Sequence, residues 1–410
     1  MKRRVVVTGM EAVTGLGNNL ETTWDGLIEG KSSVRDLSEY LYDWCRSRIG
    51  CKPKGWKLSP DILTEKDEEI SDIVALYAID AAVRTWRFHE WETNNLHNYD
   101  PHRIGVILGN GSGGMASARK IHQRMQEKLG AKIGPYLLVG YLGNCIAGKV
   151  SIAIGAKGIN YTLQSACASG THAIQMAYNE IAYGKQDVMI TGGCESTIYD
   201  ECLDPFYNGK AITNNNDPET QPRPFDKNRS GFVAGEGSGI LILEEYEAAK
   251  ARGATIYAEI VGQGATADAY HIIIPDKEGH GLAKCMEIAL EDANISPDDI
   301  GYINAHGTAT KRGDVAESLA IQKVFGDYKV PISSTKGAIG HLLGGAGGIE
   351  AIFSIMALYK GILPPTLNCD DPGFDLDIVR YKGREADIKY SMSNSAGFGG
   401  SNGVLIFKKV

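Results

Sequence analysis

Eight short runs of apolar, often β-branched residues recur along the chain: "RRVVVTG", "RIGVILGN", "DVMITGG", "SGILILEE", "ATIYAEIVGQG", "IGYINAHG", "VPISST" and "NGVLIFKK". Most are continuously apolar rather than alternating, the pattern of strands covered on both faces. Helical periodicity fills the intervals. After "INYTLQSA", Ile174, Ala177, Tyr178 and Ile181 fall at i, i+3, i+4 and i+7, one face of an amphipathic helix. Strands and helices in alternation predict a layered α/β fold.

Two stretches resemble each other. "FVAGEGSGILILEE" (Phe232 to Glu245) and "SAGFGGSNGVLIFKK" (Ser395 to Lys409) each run from a glycine-rich loop into a strand and charged residues. "QSACASGTHAIQMA" and "SSTKGAIGHLLGGAGGIEAI" correspond more loosely, as strand, tight turn and helix. Either the architecture is duplicated, with halves 1–255 and 256–410 meeting near residue 255, or glycine-rich hairpins look alike by chance. The polar segment Asn208 to Phe232 carries no periodicity, and long loops of that kind are functional or disordered.

Composition narrows the field. The 410 residues are 43% hydrophobic and 22% charged with a net charge of −8, an ordinary soluble profile with no basic field for nucleic acid or anionic membrane. The basic start "MKRRVVVTGMEAV" is broken by Gly9 and Glu11 and leads to no cleavage pattern. No stretch approaches the roughly 20 apolar residues of a membrane helix. Eight scattered cysteines without a CxxC pair suggest neither a zinc site nor a disulfide framework, and a cytoplasmic setting is expected.

Candidate chemistry lies where strands end. Gly109, Gly111 and Gly114 form a GxGxxG after a strand, but a helical stretch, "ARKIHQRMQEKLG", replaces the second strand and acidic residue of a dinucleotide site. A tight strand-to-helix turn is the favoured reading. Cys167, in "LQSACASGTH", lies at or just before a helix N-terminus, where the dipole lowers a thiol pKa. A buried structural cysteine is the competing reading, and position alone leaves both open. His306 in "YINAHGTATKRGD", and Lys336 and His341 in "ISSTKGAIGHLLGGAGG", occupy similar strand-end settings. Open α/β sheets place ligands at such ends.

Together with "VVVTGMEAVTGLGN", "RPFDKNRSGFVAGEGSGILILEE" and "NSAGFGGSN", these stretches resemble the β-ketoacyl-acyl-carrier-protein synthases of the KAS I/II type, in the thiolase-like superfamily, essentially end to end. The resemblance implies a duplicated αβαβα five-layered sandwich acting as a homodimer, or beside a chain-length-factor-like subunit. It implies a decarboxylative Claisen condensation of an acyl thioester with a malonyl carrier, for fatty-acid or type II polyketide or polyene synthesis. Substrates would ride on an acyl carrier protein, with no metal or redox cofactor. Cys167 would carry the acyl chain, and His306 and His341 would assist decarboxylation. Lys336 and Glu317 would form a supporting ion pair, with Asp314 also supporting. The amides of Cys167 and Phe398 would make the oxyanion hole. Phe398, with Gly399, matches the gate, and Thr308 and Thr310 match the pantetheine-binding threonines.

Departures accompany the match. Ala396 stands where elongating members commonly carry a second phenylalanine, and Ser112 where a larger residue often limits the acyl pocket. Ile273 and Ile274 replace small hydroxylated residues beside the pantetheine channel. "LTEKDEEISD" is acidic where many relatives have a basic carrier-docking helix, and "ARKIHQRMQEKLGAK" is a candidate replacement or a solvated face. A degradative thiolase would need a second cysteine in the final glycine-rich loop, yet the last is Cys369. A non-catalytic chain-length-factor subunit would lack the nucleophile, and Cys167 is present. His172, five residues on from Cys167, is expected to be structural.

Overall fold

The computed structural model describes residues 2–88, 99–128, 130 and 132–410. Five strands of the large sheet come from the first part of the chain: β1 (Val5–Val13), β2 (Ile104–Gly109), β3 (Asn160–Leu163), β4 (Val188–Glu195) and β5 (Gly237–Glu245). Six follow: β6 (Ala258–Ala267), β7 (Ile300–Asn304), β8 (Pro331–Ser333), β9 (Asp377–Ile378), β10 (Tyr390–Gly397) and β11 (Ser401–Lys408). Their spatial order is β9-β8-β7-β10-β11-β6-β1-β5-β4-β2-β3.

That order contains the same five-strand run twice, β1-β5-β4-β2-β3 and β6-β11-β10-β7-β8. In each run the first two pairings are antiparallel and the next two parallel. The two runs touch only where Val5–Val7 meets Ala258–Ile260. The eight apolar runs read from sequence all contribute strands. What looked like a glycine-rich loop before β11 is a hairpin, because Ser395 to Gly397 continue β10 and pair with Ser401 to Gly403.

Helices build the other three layers. α1 (Ile73–Phe88) and α2 (Asn144–Ile154) cover the first run, and α4 (His280–Ala293) covers β6 and β11, with α5 (Gly313–Phe325) against it. Between the runs lie α3 (Ser169–Ala182) and α6 (Ala346–Lys360), each touching strands of both. The result is the five-layered α-β-α-β-α sandwich. From Ala346 to Leu358 every residue of α6 is buried, so that helix is covered on all faces, as a central position demands.

The central helices abut at their N-termini. A Cβ on Gly170 would stand 2.6 Å from the Gly348 nitrogen, and one on Gly347 would stand 2.4 Å from the Thr171 nitrogen. Glycine is required here because the backbones touch. The turn preceding α3 carries Cys167, and the segment preceding α6 carries His341. Gly348→Ala would place its methyl 2.4 Å from the Gly193 nitrogen and 2.5 Å from the Gly239 oxygen. We expect it to destabilise the fold by about 1–3 kcal/mol, read as a lowered denaturant midpoint at unchanged slope.

Candidate active site

Cys167 stands on a strained turn between β3 and α3. Ala166 is left-handed at φ 50°, a conformation that costs a non-glycine residue roughly 1–2 kcal/mol. Ser169 holds the turn: its Oγ accepts from the Ser165 amide at 2.8 Å and donates to the Ala166 carbonyl at 2.6 Å. Gly397 closes the other side, where a Cβ would come within 2.6 Å of the Ser165 oxygen. The Phe398 amide donates toward the Cys167 sulfur. Gly399 does not share that role, because its amide donates to the Ile272 carbonyl at 2.7 Å.

The two histidines arrive from the other half of the sandwich. His306 follows β7, and Glu317 of α5 fixes its backbone by accepting from the His306 amide at 2.8 Å and the Gly307 amide at 2.7 Å. His341 donates its amide to the Val233 carbonyl at 2.7 Å and accepts from the Gly235 amide at 2.9 Å. The imidazoles meet edge to face, with centroids 5.4 Å apart and planes at 86°. Both Nδ1 atoms are buried without a protein partner. Cys167, His306 and His341 line one cavity of about 960 Å³.

The expected Lys336–Glu317 ion pair is not formed. Lys336 Nζ is bonded instead to Glu350 Oε1 of α6, and both side chains are almost fully buried. Glu317 is spent on the His306 turn, which lies in the chain segment leading into its own helix. A carboxylate in the otherwise apolar "GGAGGIEAIF" was the available signal for Glu350. Asp314 accepts from the Phe225 amide at 2.8 Å and approaches Arg229 at 3.8 Å. Burial raises the Asp314 and Glu350 carboxyls each to about 7, with Arg229 and Lys336 respectively pulling them back down.

Burial also governs the reactive groups. It pushes the Cys167 thiol up to about 12, against the pull of Lys336 and the Phe398 amide. The helix-start argument from sequence expected a lowered thiol, but desolvation outweighs it. Burial, followed by the Lys336 charge, holds both imidazoles well below their usual range, so both are neutral near pH 7.

Thr308 and Thr310 line the cavity, their hydroxyls 3.1 Å apart, with Thr310 Oγ1 also accepting from the Gly313 amide. Ile273, Ile274, Ala396 and Phe398 line it too, Phe398 being 37% exposed and 6.1 Å from the Phe206 ring. Ser112 is not among the lining residues; it lies on the tight β2 turn, which leads to the helix Met115–Glu127 rather than to a second strand. Sequence reasoning missed Phe206 and Phe232, which pack edge to face at 5.4 Å with Phe232 against His341 at 5.2 Å. They lie at the two ends of the polar stretch, which folds back through Thr213 and Ser230 at 2.6 Å. His172 bridges a side chain and a carbonyl: Nδ1 meets Ser165 Oγ at 2.7 Å and Nε2 meets the Asn402 carbonyl at 3.1 Å. The basic stretch 118–132 is helical to Glu127, and positions 129 and 131 lie outside the described residues.

A cysteine at a helix start facing two neutral imidazoles across a duplicated sandwich defines a thiolase-like condensing site. The chain belongs to the β-ketoacyl synthase family: the family described as "Beta-ketoacyl synthase, N-terminal domain" matches residues 2–249, and "Beta-ketoacyl synthase, C-terminal domain" matches 257–370. It is a condensing acyltransferase. It is 40% identical to a 3-oxoacyl-[acyl-carrier-protein] synthase 2 of Vibrio harveyi, covering 100% of this chain and 99% of the relative. A crystal structure of a beta-ketoacyl synthase from Burkholderia phymatum superposes with TM-score 0.92 at 36% identity, covering both chains fully. A type II polyketide ketosynthase, solved with its acyl-carrier protein and a bound hexaketide, gives TM-score 0.88 at 30% identity with both chains covered fully.

Breaking one partner of the Lys336–Glu350 pair strands a buried charge. We expect Lys336→Met to cost about 3–5 kcal/mol in chemical denaturation, and the Lys336→Met, Glu350→Leu double variant to recover most of it. Lys336→Met also removes the cation that lowers the Cys167 pKa. Alkylation of Cys167 by iodoacetamide at pH 8, followed by intact mass, should therefore slow; an unchanged rate would remove Lys336 from the electrostatics of the thiol.

Proposed function

We propose that Cys167 attacks the carbonyl of an acyl-carrier thioester, forming a new thioester on Sγ and releasing the carrier thiol. A malonyl-carrier then enters, its terminal C–C bond breaks to release CO2, and the resulting enolate attacks the acyl-Cys167 carbonyl. Collapse of the tetrahedral intermediate expels the Cys167 thiolate and leaves a β-ketoacyl carrier longer by two carbons. The observation that carries this reading is the edge-to-face pair of neutral, buried imidazoles beside Cys167. A neutral imidazole N–H stabilises the enolate oxygen without protonating the carbon nucleophile it must leave free.

Supporting roles follow from position. The Cys167 and Phe398 amides form the oxyanion hole, Phe398 gates the cavity, and Thr308 and Thr310 bind the pantetheine arm. Lys336 depresses the imidazole pKa values, while Glu317 and Asp314 hold the turns around His306 and Phe225. Gly399 belongs to the gate turn alone. Loss of CO2 drives carbon–carbon bond formation, so the chemistry draws on no group beyond the carrier's phosphopantetheine. We further propose a cytoplasmic homodimer of chains divided near residue 255, with a chain-length-factor-like partner as the second assembly. Among the described residues no single helix is long and apolar enough to cross a membrane. The missing bulk at Ala396, which lines the cavity, is read as room for chains unlike those of housekeeping fatty acids.

Cys167→Ala should lose acylation, seen as the missing mass increment after incubation with acyl-carrier thioesters, while keeping its circular dichroism; full condensation in that variant would refute the mechanism. His306→Ala and His341→Ala should still acylate but lose release of CO2 from malonyl-carrier. Because both imidazoles are already neutral, malonyl decarboxylation should stay flat from pH 8 to pH 6. An acid limb centred near the ordinary histidine value of 6.5 would contradict that assignment.

A further inference from the structure

One buried carboxylate close enough to act on the Cys167 thiol has no part in the chemistry above. Glu195 closes β4, and its side chain is fully buried. Among the described residues no lysine, arginine or histidine forms an ion pair with it. Hydrogen bonds from neutral donors hold it instead. Its Oε2 accepts from the Gly111 amide at 2.8 Å and from the Gly344 amide at 3.1 Å, while Oε1 accepts from Asn110 Nδ2 at 3.2 Å. Burial raises the carboxyl to about 7, with these donors and the Ser196 amide pulling it back down. A carboxylate kept in the interior without a cation is costly, so its retention calls for a reason.

The two amides come from distant parts of the chain. Gly111 follows β2, and Gly344 sits in the single turn Leu343–Gly345 that leads into α6. Their backbones abut: a Cβ on Gly344 would lie 2.1 Å from the Gly111 nitrogen, and one on Gly111 would lie 2.7 Å from Glu195 Oε2. One oxygen atom therefore pins two peptide units that touch each other. Asn110 completes the clamp, its Nδ2 also donating to the Cys194 carbonyl at 3.0 Å.

What the clamp fixes is Leu343. The peptide unit between Leu343 and Gly344 carries the pinned N–H, so its orientation sets the Leu343 ψ directly. Leu343 stands at φ 44°, in the left-handed region that a leucine occupies only where its surroundings hold it there. Its side chain is buried, lines the cavity and belongs to the same apolar cluster as Cys167 and Phe232. A return to negative φ would swing that side chain out of its present place in the wall.

We propose that Glu195 is a positioning residue for the acyl chain: by clamping the Gly111 and Gly344 amides on one oxygen it holds Leu343 as a wall of the cavity, and so sets which acyl groups reach Cys167. The inference rests on the condensing reading above. It assigns no chemical step to the carboxylate; what matters is an acceptor with two lone pairs at the Oε2 position. A Gln side chain provides one, since its carbonyl oxygen accepts both amides while Asn110 keeps its bond to the Cys194 carbonyl. An Asp side chain is one methylene too short to reach both.

The test follows acylation of Cys167 by butanoyl, octanoyl and dodecanoyl thioesters of N-acetylcysteamine, read by intact mass, and compares the spread of rate constants between chains. Glu195→Asp keeps the charge and loses the clamp, and should narrow that spread by at least about fivefold. Glu195→Gln loses the charge and keeps the clamp, and should leave the spread within about twofold. Leu343→Ala should narrow it as Glu195→Asp does, with Glu195 untouched. Adding Glu195→Asp to Leu343→Ala should change the spread by no more than about twofold, because the carboxylate acts through the leucine. Should Glu195→Asp fail to fold, the Leu343→Ala and Glu195→Gln arms still decide. An equal loss in Glu195→Gln would make the charge the active feature and overturn the proposal. So would an unchanged spread in Glu195→Asp or Leu343→Ala, or an unaltered enzyme that accepts all three chains alike. Failure of the unaltered enzyme to acylate with any of the thioesters would overturn the condensing reading itself, a result separable from all of these.

Discussion

The contact on which the site depends is one between backbones. Gly170 of α3 and Gly347 and Gly348 of α6 let two helix N-termini touch at the centre of the sandwich, where any Cβ would collide with main-chain atoms. Each helix is anchored to strands of both five-strand runs, so their relative placement is fixed by the whole core. Cys167 lies just before one helix, and Lys336 and His341 before the other. Their approach is a consequence of glycine packing.

Bringing these groups together in a buried site sets up a contest between burial and charge. Burial alone raises the thiol and lowers both imidazoles, and Lys336 acts on all three. On the imidazoles the lysine and burial act in the same direction, toward the neutral form. On the thiol they oppose each other, and burial wins. Lys336 itself can stay buried because Glu350 pairs with it, on the helix that also delivers the glycine contact. Packing and electrostatics therefore share α6.

Much of this was legible in the order of residues. Continuous apolar runs gave every long strand from Val5 to Lys408 except β10, which was hidden because "YSMSNSAG" alternates serine with apolar residues and ends in glycine. The likeness of Phe232–Glu245 to Ser395–Lys409 corresponds to β5 and β11, which hold the same place in the two strand runs. Cys167, His306 and His341 could be named because their types and neighbours were distinctive. The partner of Lys336 could not, since Glu317 and Glu350 are both buried carboxylates and only the crossing of α6 decides between them. The thiol's electrostatics escaped for a related reason: a helix start is visible in sequence, whereas the depth at which it is buried is not. Phe206 and Phe232 reach the cavity only because the polar stretch between them folds back on itself.

The split of the site across the duplicated sandwich has a bearing on how the protein is made. Translation delivers the nucleophile well before Lys336, His306 or His341 exists, and the first sheet can form with its cysteine facing no cation and no imidazole. Until β6 to β11 are synthesised and α6 packs its glycines against α3, Cys167 has neither the Phe398 amide nor the His306 and His341 imidazoles beside it. A chain that ends before them carries Cys167 without the groups that line the cavity around it in the folded protein. The surroundings of Cys167 are complete only when the hairpin of β10 and β11 lies beside the turn that carries it.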